Sequence, residues 1–360
     1  MNLPNLATSA RASAWDLDLA SLAARLRDRL APPEAAASTT IWWGAGFSDL
    51  MLHARPTLPA PHHNVVVGAD QRQSRRAMAW AGAAAETHHL LNLFDLRRDA
   101  AAIQAQLQRH IVRDLDSYLA LDESLSRHFD SAPCITDECV DTLVADFVIN
   151  RLTPTEAPQA MAEAFRVLRR NGRFFCAVLV GDEALAQPSE VRSAPGGRRL
   201  RVPDERSAAK AMEDAGFHGI VLHWPSVDNP TAVDRIGDTE VRMAILEAYK
   251  GKQGPCFELG QAVVYRGPWR QVSDDDGHVY ARGERVAVCA KTYALLMRAP
   301  YRDAFIGLRS INEPELKDAV LFDCHTPTVR DPRITKGLMP FAGAASAGQG
   351  ACCPEEGGCC

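Results

Sequence analysis

Short apolar runs alternate with amphipathic helical segments through the first 250 residues, and this alternation restricts the fold more than any other feature. A run such as "NVVVG", in which consecutive residues are β-branched, is typical of a strand buried on both faces. Strands that alternate with helices at this spacing predict an α/β fold with a doubly wound, mostly parallel sheet. Five strands are predicted in succession, in the stretches "STTIWWGAG", "NVVVGAD", "THHLLNLFDL", "VDTLVADFVINRL" and "RFFCAVLVGD".

Two further strands, "GIVLHWPSV" and "VRMAILEAYKG", follow without an obvious helix between them, so we expect an antiparallel hairpin at the edge of the sheet. The helix before the fifth strand is predicted to end at Asn171-Gly172, a pair typical of helix C-termini. The predicted organisation is a helical N-terminal segment (1–35), an α/β domain (36–250, with a helical insertion at about 98–135), a smaller C-terminal domain (251–340) and a flexible tail (341–360).

Composition and charge argue against several classes of function. The formal charge of −5 and the isoelectric point near 6.1, without any block of Lys or Arg, argue against a nucleic-acid partner. No apolar run approaches the roughly 18 residues that a membrane span needs, and the N-terminus lacks the pattern of a secretory signal. We therefore expect a cytoplasmic protein without a membrane partner, whose ten cysteines are reduced. The oligomeric state stays open.

A group of glycines and acidic residues follows the first three predicted strands, where an open parallel sheet binds its ligands. Gly44 and Gly46 follow the first strand and let the backbone approach a cofactor closely. Asp70, followed by Gln71, ends the second strand, where a carboxylate can accept hydrogen bonds from ribose hydroxyls. Asp95 follows the third strand and is expected near an adenine ring. The three features in register predict a nucleotide-like cofactor.

Four motifs between about 36 and 250 resemble those of class I S-adenosylmethionine-dependent methyltransferases: "WGAG", "GADQ", "VDTLVADFVINRL" and "AFRVLRRNGRFF". Farther on, "CFELGQAVVYRGPW", "VYARGERVAVCAKTYALLM" and "LFDC" resemble the C-terminal domain of arsenite methyltransferases. The resemblance implies a seven-stranded Rossmann-like methyltransferase sheet, a smaller α+β C-terminal domain and S-adenosyl-L-methionine as cofactor. It also implies a trivalent metalloid such as arsenite as the substrate, held by thiolates and supported by reduced thiols.

Three residues are candidates for a role at the methyl acceptor. Cys134 and Cys139, in "APCITDEC", precede the fourth strand, and we expect their loop to open on the substrate's edge of the sheet. Asp146 ends the fourth strand and is expected to face the substrate. Thiolates would hold As(III) with its lone pair towards the sulfonium methyl group, so that alignment supplies most of the acceleration, roughly 7 to 11 kcal/mol in well-oriented systems.

The remaining cysteines fall into two groups. The chain closes in "ACCPEEGGCC", whose vicinal pairs, with glycines for slack, can converge on one soft ion. The predicted metal-binding residues are therefore Cys352, Cys353, Cys359 and Cys360. The second group matches cysteines of the family's C-terminal domain and is interpreted as structural and buried, namely Cys256, Cys289 and Cys324.

Two departures from the family pattern keep other functions open. Trp42 stands where the family has the first glycine of its turn, and no cysteine precedes Cys134, where the family carries one. Trp42 and Trp43 are interpreted as residues of the core or of a pocket wall. The first alternative is a catalytically impaired, methyltransferase-like protein that binds soft metal or metalloid through its cysteines. The second is a small-molecule methyltransferase of a biosynthetic pathway.

Overall fold

The structure of the protein is a computed structural model, and the chain divides into two compact units, Met1–Lys250 and Gly251–Cys360. The residues that the structure describes are 14–30, 38–54, 62–68, 72, 75, 77, 86–90, 92–192, 199–224 and 232–341.

The first unit contains helices on both sides of a central sheet. The helices are α1 (Ala14–Leu30), α2 (Leu50–Ala54), α3 (Ala100–Arg109), α4 (Leu115–Ser131), α5 (Glu156–Val167) and α6 (Glu205–Asp214). The strands are β1 (Ser38–Trp43), β2 (His62–Gly68), β3 (Glu86–His89), β4 (Val140–Asp146), β5 (Leu168–Gly181), β6 (Ser189–Glu190), β7 (Arg199–Leu200), β8 (His218–His223), β9 (Asp234–Ile236) and β10 (Thr239–Tyr249). Among the described residues, no helix is long and apolar enough to cross a membrane.

The central sheet has the order β3-β2-β1-β4-β5-β10-β8, and β9 pairs with β10 outside this path. Strands β1 to β5 are parallel to one another in the sheet. Strand β10 is antiparallel to both β5 and β8, and it lies between them. The predicted doubly wound, mostly parallel seven-stranded sheet, including its antiparallel pair, is confirmed. The order reverses at β1, which lies between β2 and β4.

Two hydrophobic layers cover the faces of this sheet. Trp43 of β1 belongs to the layer that includes α5 and α6, whereas Trp42 belongs to the layer that includes α1 and α2. This separation follows from the alternation of side chains along a strand. In α1, the side chains of Trp15, Leu22 and Leu26 are at most 2% exposed, so this helix is part of the core of the first unit.

Helix α5 ends earlier than the sequence predicts. The helix stops at Val167, and β5 begins at Leu168, so the predicted stop at Asn171-Gly172 is wrong. Asn171 has a φ of 70° and donates its backbone N–H to the carbonyl oxygen of Lys250. Pairing of Leu168 with Val140 of β4, together with the bond from Asn171 to Lys250, thus places residues 168–171 in β5 and overrides their helical pattern.

The described part of the second unit, residues 251–341, contains short antiparallel strands and two short α-helices. Its strands are β11 (Phe257–Glu258), β12 (Ala262–Tyr265), β13 (Gln271–Ser273), β14 (Val279–Ala281), β15 (Arg285–Ala287), β16 (Phe305–Leu308) and β17 (Val320–Leu321), and its helices are α7 (Ala290–Leu296) and α8 (Pro332–Thr335). They form the sheets β15-β12-β16, β11-β17 and β13-β14. The core includes Val263, Tyr265, Tyr280 and Leu296. The smaller α+β domain is as predicted.

Candidate functional sites

The predicted glycine turn is present at the carboxyl end of β1. Gly44 and Gly46 have φ values of 71° and 87°, in the left-handed region that favours glycine. The backbone N–H of Gly44 donates to the carbonyl oxygen of Val67, at 2.7 Å, so the turn continues the contact between β1 and β2. Because β1 is the strand at which the order reverses, the turn lies where doubly wound sheets bind ligands.

The segment that follows β4 packs closely on this turn. A Cβ atom at Gly44 would lie 2.8 Å from Cγ2 of Val148 and 3.2 Å from Nη1 of Arg151. The same Nη1 donates to the carbonyl oxygen of Gly44 at 3.4 Å, and the guanidinium lies 5.0 Å from the ring centre of Phe47. At Gly44, the missing side chain is therefore required by the packing of the protein itself.

The two tryptophans before the turn are core residues, which confirms their interpretation. Trp42 pairs with Val66 in the sheet, and its Nε1 donates to Oδ1 of Asn64 at 3.1 Å. Trp43 is fully buried, and its Nε1 donates to the carbonyl oxygen of Leu93 at 2.9 Å. Each indole nitrogen is thus satisfied inside the protein, and both rings point into the layers that cover the sheet.

Asp146 braces the glycine turn from the end of β4. Its carboxylate accepts hydrogen bonds from the backbone N–H of Ser48 at 3.0 Å and from the hydroxyl of Ser48 at 2.5 Å. Burial raises the pKa of Asp146 to about 6, although the hydrogen bonds from Ser48 and the charge of Arg151 oppose this increase. These contacts are those of a residue that positions the turn, and a role towards the substrate stays a prediction.

The predicted cofactor residues beyond the turn are only partly described. Asp95 lies in the loop after β3, two residues after Leu93. Because the indole of Trp43 contacts Leu93, this loop lies at the carboxyl edge of the sheet. Its carboxylate accepts a hydrogen bond from the backbone N–H of Arg97 at 2.8 Å and lies 3.3 Å from Nε of Arg98. Asp70 and Gln71 lie outside the described residues, and so do the four tail cysteines, Cys352, Cys353, Cys359 and Cys360.

The loop cysteines are held by different partners. Cys139 directly precedes β4, so it lies at the amino edge, opposite the glycine turn; the expectation that the whole loop opens on the cofactor's edge is wrong. Its thiol donates to the carbonyl oxygen of Thr136. Cys134 lies beside β3, with its Sγ 3.0 Å from Nδ1 of His88, which is 3.7 Å from a carboxylate oxygen of Asp99. The amino and carboxyl ends of a strand lie at opposite edges of the sheet. Sequence spacing does not show which of these edges a loop cysteine reaches.

The second unit contains a cluster that the sequence analysis did not predict. Cys256 precedes β11, Cys289 precedes α7, and Cys324 follows β17. Their three Sγ atoms lie within 4.8 Å of one another, and the side chains are at most 9% exposed. The prediction that these residues are buried is confirmed, but the convergence of their thiols is new.

Hydrogen bonds within this cluster favour one thiolate. The thiols of Cys256 and Cys324 lower the pKa of Cys289 well below its ordinary value, while their own pKa values are raised by the same hydrogen bonds. Sγ of Cys289 also accepts from the backbone N–H of Thr292 at 3.4 Å. The buried ammonium group of Lys291 donates to the carbonyl oxygen of Gly254 at 2.9 Å and favours the charged form of Cys256. The cluster therefore brings three soft ligand atoms together inside the unit.

A small cavity adjoins the cluster. Its volume is about 30 Å³, above the roughly 10–15 Å³ that one water needs. Its walls include Cys289, Cys324, Tyr280 and His278. The imidazole of His278 is held at Nδ1 by Asp274 at 2.8 Å and at Nε2 by the carbonyl oxygen of Cys324 at 3.1 Å. The ring thereby fixes the backbone of Cys324 without offering a nitrogen to the thiols.

A larger cavity of about 390 Å³ lies elsewhere in the same unit. That volume is within the range of small-molecule pockets. Its walls are mostly aromatic and include Tyr265, Trp269, Tyr301 and Phe305. Neither cavity of the second unit could be found from sequence patterns, because each is assembled from several short, separate strands and loops.

The comparisons with known proteins bear on the two units differently. Residues 252–340 match a family described as "Domain of unknown function (DUF8838)". No curated protein matches the sequence. Among solved structures, an arsenic(III) S-adenosylmethionine methyltransferase from Chlamydomonas reinhardtii is similar at 15% identity and a TM-score of 0.42, covering 87% of this chain and 98% of that one.

Two further solved structures are similar to part of this chain. The 1,6-didemethyltoxoflavin-N1-methyltransferase of Burkholderia thailandensis has 14% identity and a TM-score of 0.36, covering 65% of this chain and 78% of that one. The [4+2]-cyclase SpnF has 15% identity and a TM-score of 0.41, covering 67% of this chain and 84% of that one. At these identities and scores the function has to be argued from the residues of this chain.

Proposed function

We propose that this protein is an S-adenosylmethionine-dependent methyltransferase whose acceptor is a trivalent metalloid, such as arsenite, held by thiolates. The observation that carries the proposal is the left-handed glycine turn at the carboxyl end of β1, where the strand order reverses. Asp95 supports it, because the contact of Trp43 with Leu93 places the loop after β3 at the same edge.

The residues at this edge have separate tasks in the proposed reaction. When bound, S-adenosylmethionine supplies a methyl group on a sulfonium. Gly46 lets the backbone approach the cofactor, and Asp95 lies where a carboxylate can contact the nucleoside. The bonds between Ser48 and Asp146 hold the turn in place, so that the turn is preorganised before binding.

Thiolate ligands orient the acceptor. In the first unit, the candidate thiol is that of Cys134, which contacts His88 of β3. The tail cysteines are further candidates from the sequence. Soft thiolates suit a soft trivalent ion. With its lone pair facing the methyl group, the metalloid needs alignment more than proton transfer.

The test is calorimetric titration of the full-length protein with S-adenosylhomocysteine. Asp70→Ala is expected to weaken binding by about 1.5 to 3 kcal/mol, the size of a lost hydrogen bond to a charged group. The matched control is Asp122→Ala, which removes an exposed carboxylate on α4 and should leave binding unchanged. Absence of binding by the unmodified protein, or equal losses in both variants, would refute the proposed cofactor site.

A second candidate function is capture of thiophilic ions without methyl transfer. The packing of Val148 and Arg151 on Gly44 favours it, because the space beside this glycine is taken by protein. Binding of arsenite without binding of S-adenosylhomocysteine would establish this candidate. If the cofactor binds but arsenite is not methylated, a screen of small-molecule acceptors tests the biosynthetic alternative.

A further inference from the structure

The geometry points to an ion-binding site in the C-terminal unit that no known role explains: Cys256, Cys289 and Cys324 form a three-thiolate site for one trivalent, thiophilic ion such as As(III) or Sb(III). The site belongs to residues 252–340, the domain of unknown function. It lies within one unit and does not rest on the proposed methyl transfer.

Convergence of the three thiols needs an explanation beyond packing. The cysteines come from three separate segments, and their sulfur atoms meet within 4.8 Å. A disulfide would use two of the three and leave the third without a partner. Polar groups accompany the thiols, since the N–H of Thr292 donates to Cys289 and the buried ammonium of Lys291 is nearby. The N–H of Thr292 caps the start of α7 on the sulfur of Cys289, and the ammonium of Lys291 donates to the carbonyl oxygen of Gly254, so the cluster lies in a partly polar environment.

The number of ligands selects the ion. In the part of the chain that the structure describes, no fourth Cys, His, Asp or Glu joins the three sulfurs. Structural zinc almost always takes four ligands in a tetrahedron. The nearby imidazole of His278 cannot complete such a set, because Asp274 and the carbonyl oxygen of Cys324 hold its two nitrogens. A trivalent ion with a lone pair is satisfied by three ligands in a pyramid.

Charge leads to the same class of ion. Three thiolates and one trivalent cation form a neutral complex, which a buried site tolerates far better than a net charge. The cavity of about 30 Å³ beside Cys289 and Cys324 leaves room for an atom next to the sulfurs. Phe322 packs against the cluster and covers it with apolar surface, which slows exchange with water.

Binding from arsenous acid is a balanced ligand exchange without oxidation or reduction. Three S–As bonds form and three As–O bonds break. Each leaving hydroxyl departs as water and takes the proton released by one of the three thiols, those of Cys256, Cys289 and Cys324.

The experiment uses the full-length chain with Cys352, Cys353, Cys359 and Cys360 changed to serine, which removes competing thiols. Arsenite is the probe and Zn(II) the comparison ion. Arsenic K-edge absorption is expected to give three sulfur neighbours and no oxygen. Arsenite should also protect the three clustered cysteines from alkylation by iodoacetamide, as mapped by peptide mass spectrometry.

Single variants then identify the ligands. Cys256→Ser, Cys289→Ser and Cys324→Ser should each weaken arsenite binding by more than about 100-fold, because losing a ligand exceeds the 10- to 100-fold cost of losing its supporting partner. Cys176→Ala, which changes a cysteine buried in β5 of the first unit, is the matched control and should bind normally. Near-ultraviolet circular dichroism checks folding, and the absorption and alkylation results decide the matter if a variant fails to fold.

Three results would overturn the inference. The first is arsenic with two sulfur neighbours or fewer, and the second is unchanged binding in all three variants. The third is Zn(II) binding with four ligands more tightly than arsenite, which would make the cluster part of a zinc site.

Discussion

Replacing Asp146 by asparagine should stabilise the first unit at neutral pH and flatten the dependence of its stability on pH. The aspartate is 2% exposed, and burial raises its pKa from 3.8 to about 6. At 1.36 kcal/mol for each unit of pKa, the increase corresponds to on the order of 3 kcal/mol. Asparagine has nearly the same shape, and its amide can still bond to both the N–H and the hydroxyl of Ser48.

The sign follows from proton binding by the two states. Between about pH 4 and pH 6 the folded protein keeps the proton on Asp146, whereas the unfolded chain has lost it. The contribution of Asp146 to stability is therefore complete below about pH 4, and it is lost as the pH rises through the folded-state pKa of about 6. At pH 7 the whole loss of about 3 kcal/mol applies, and Asp146→Asn avoids it.

Urea unfolding from pH 4 to pH 8 provides the measurement, with tryptophan fluorescence as the signal. Trp269 is the single tryptophan of the second unit, so a Trp269→Phe background restricts the signal to the first unit. The free energy of unfolding should diverge between Asp146→Asn and its parent above about pH 5. Parallel profiles, or a variant that is less stable at pH 7, would show that Asp146 is ionised and well compensated in the folded protein.

Three further changes have direct measurements. Trp43→Ala should lower the free energy of unfolding by about 3 to 5 kcal/mol in urea titration, because the side chain is fully buried; a loss under about 1 kcal/mol would contradict the core assignment. Arg330→Ala leaves Glu258 as an uncompensated buried charge, so thermal unfolding should show a loss of about 3 to 5 kcal/mol in the free energy of unfolding. An unchanged melting temperature would show that the ion pair is dispensable. His278→Asn should remove a stability contribution that is present below pH 6.5 and lost as the pH rises, since Asp274 raises the pKa of His278; identical pH profiles would argue against the ion pair.

Local sequence patterns were sufficient for the architecture of the first unit. Consecutive β-branched residues in β2 predict a strand buried on both faces, and the observed sheet has β2 between β3 and β1. The glycines after β1 predict a turn with positive φ, which Gly44 and Gly46 both adopt. These properties depend on residues close together in the chain, so periodicity and residue type determine them.

The end of α5 shows where such patterns fail. Residues 168–171 continue the helical pattern, yet they lie in β5 because Leu168 pairs with Val140 and Asn171 bonds to Lys250. The loop with Cys134 and Cys139 fails for a related reason, since the sequence does not indicate at which edge of the sheet a thiol will lie. Partners distant in sequence decide both outcomes.

By itself the sequence determined the α/β class, the antiparallel pair of strands at one edge of the sheet and the tight glycine turn. These features follow from backbone preferences and hydrophobic periodicity, which act locally. Only the tertiary structure decided what the buried polar groups do. Asp146 became a brace for the turn when β4 brought it to Ser48, and the thiols of Cys256, Cys289 and Cys324 became one cluster when three separate segments packed together. Hydrogen bonds and ligand geometry act over a few ångströms in space, and spacing along the chain does not determine which groups come within that range.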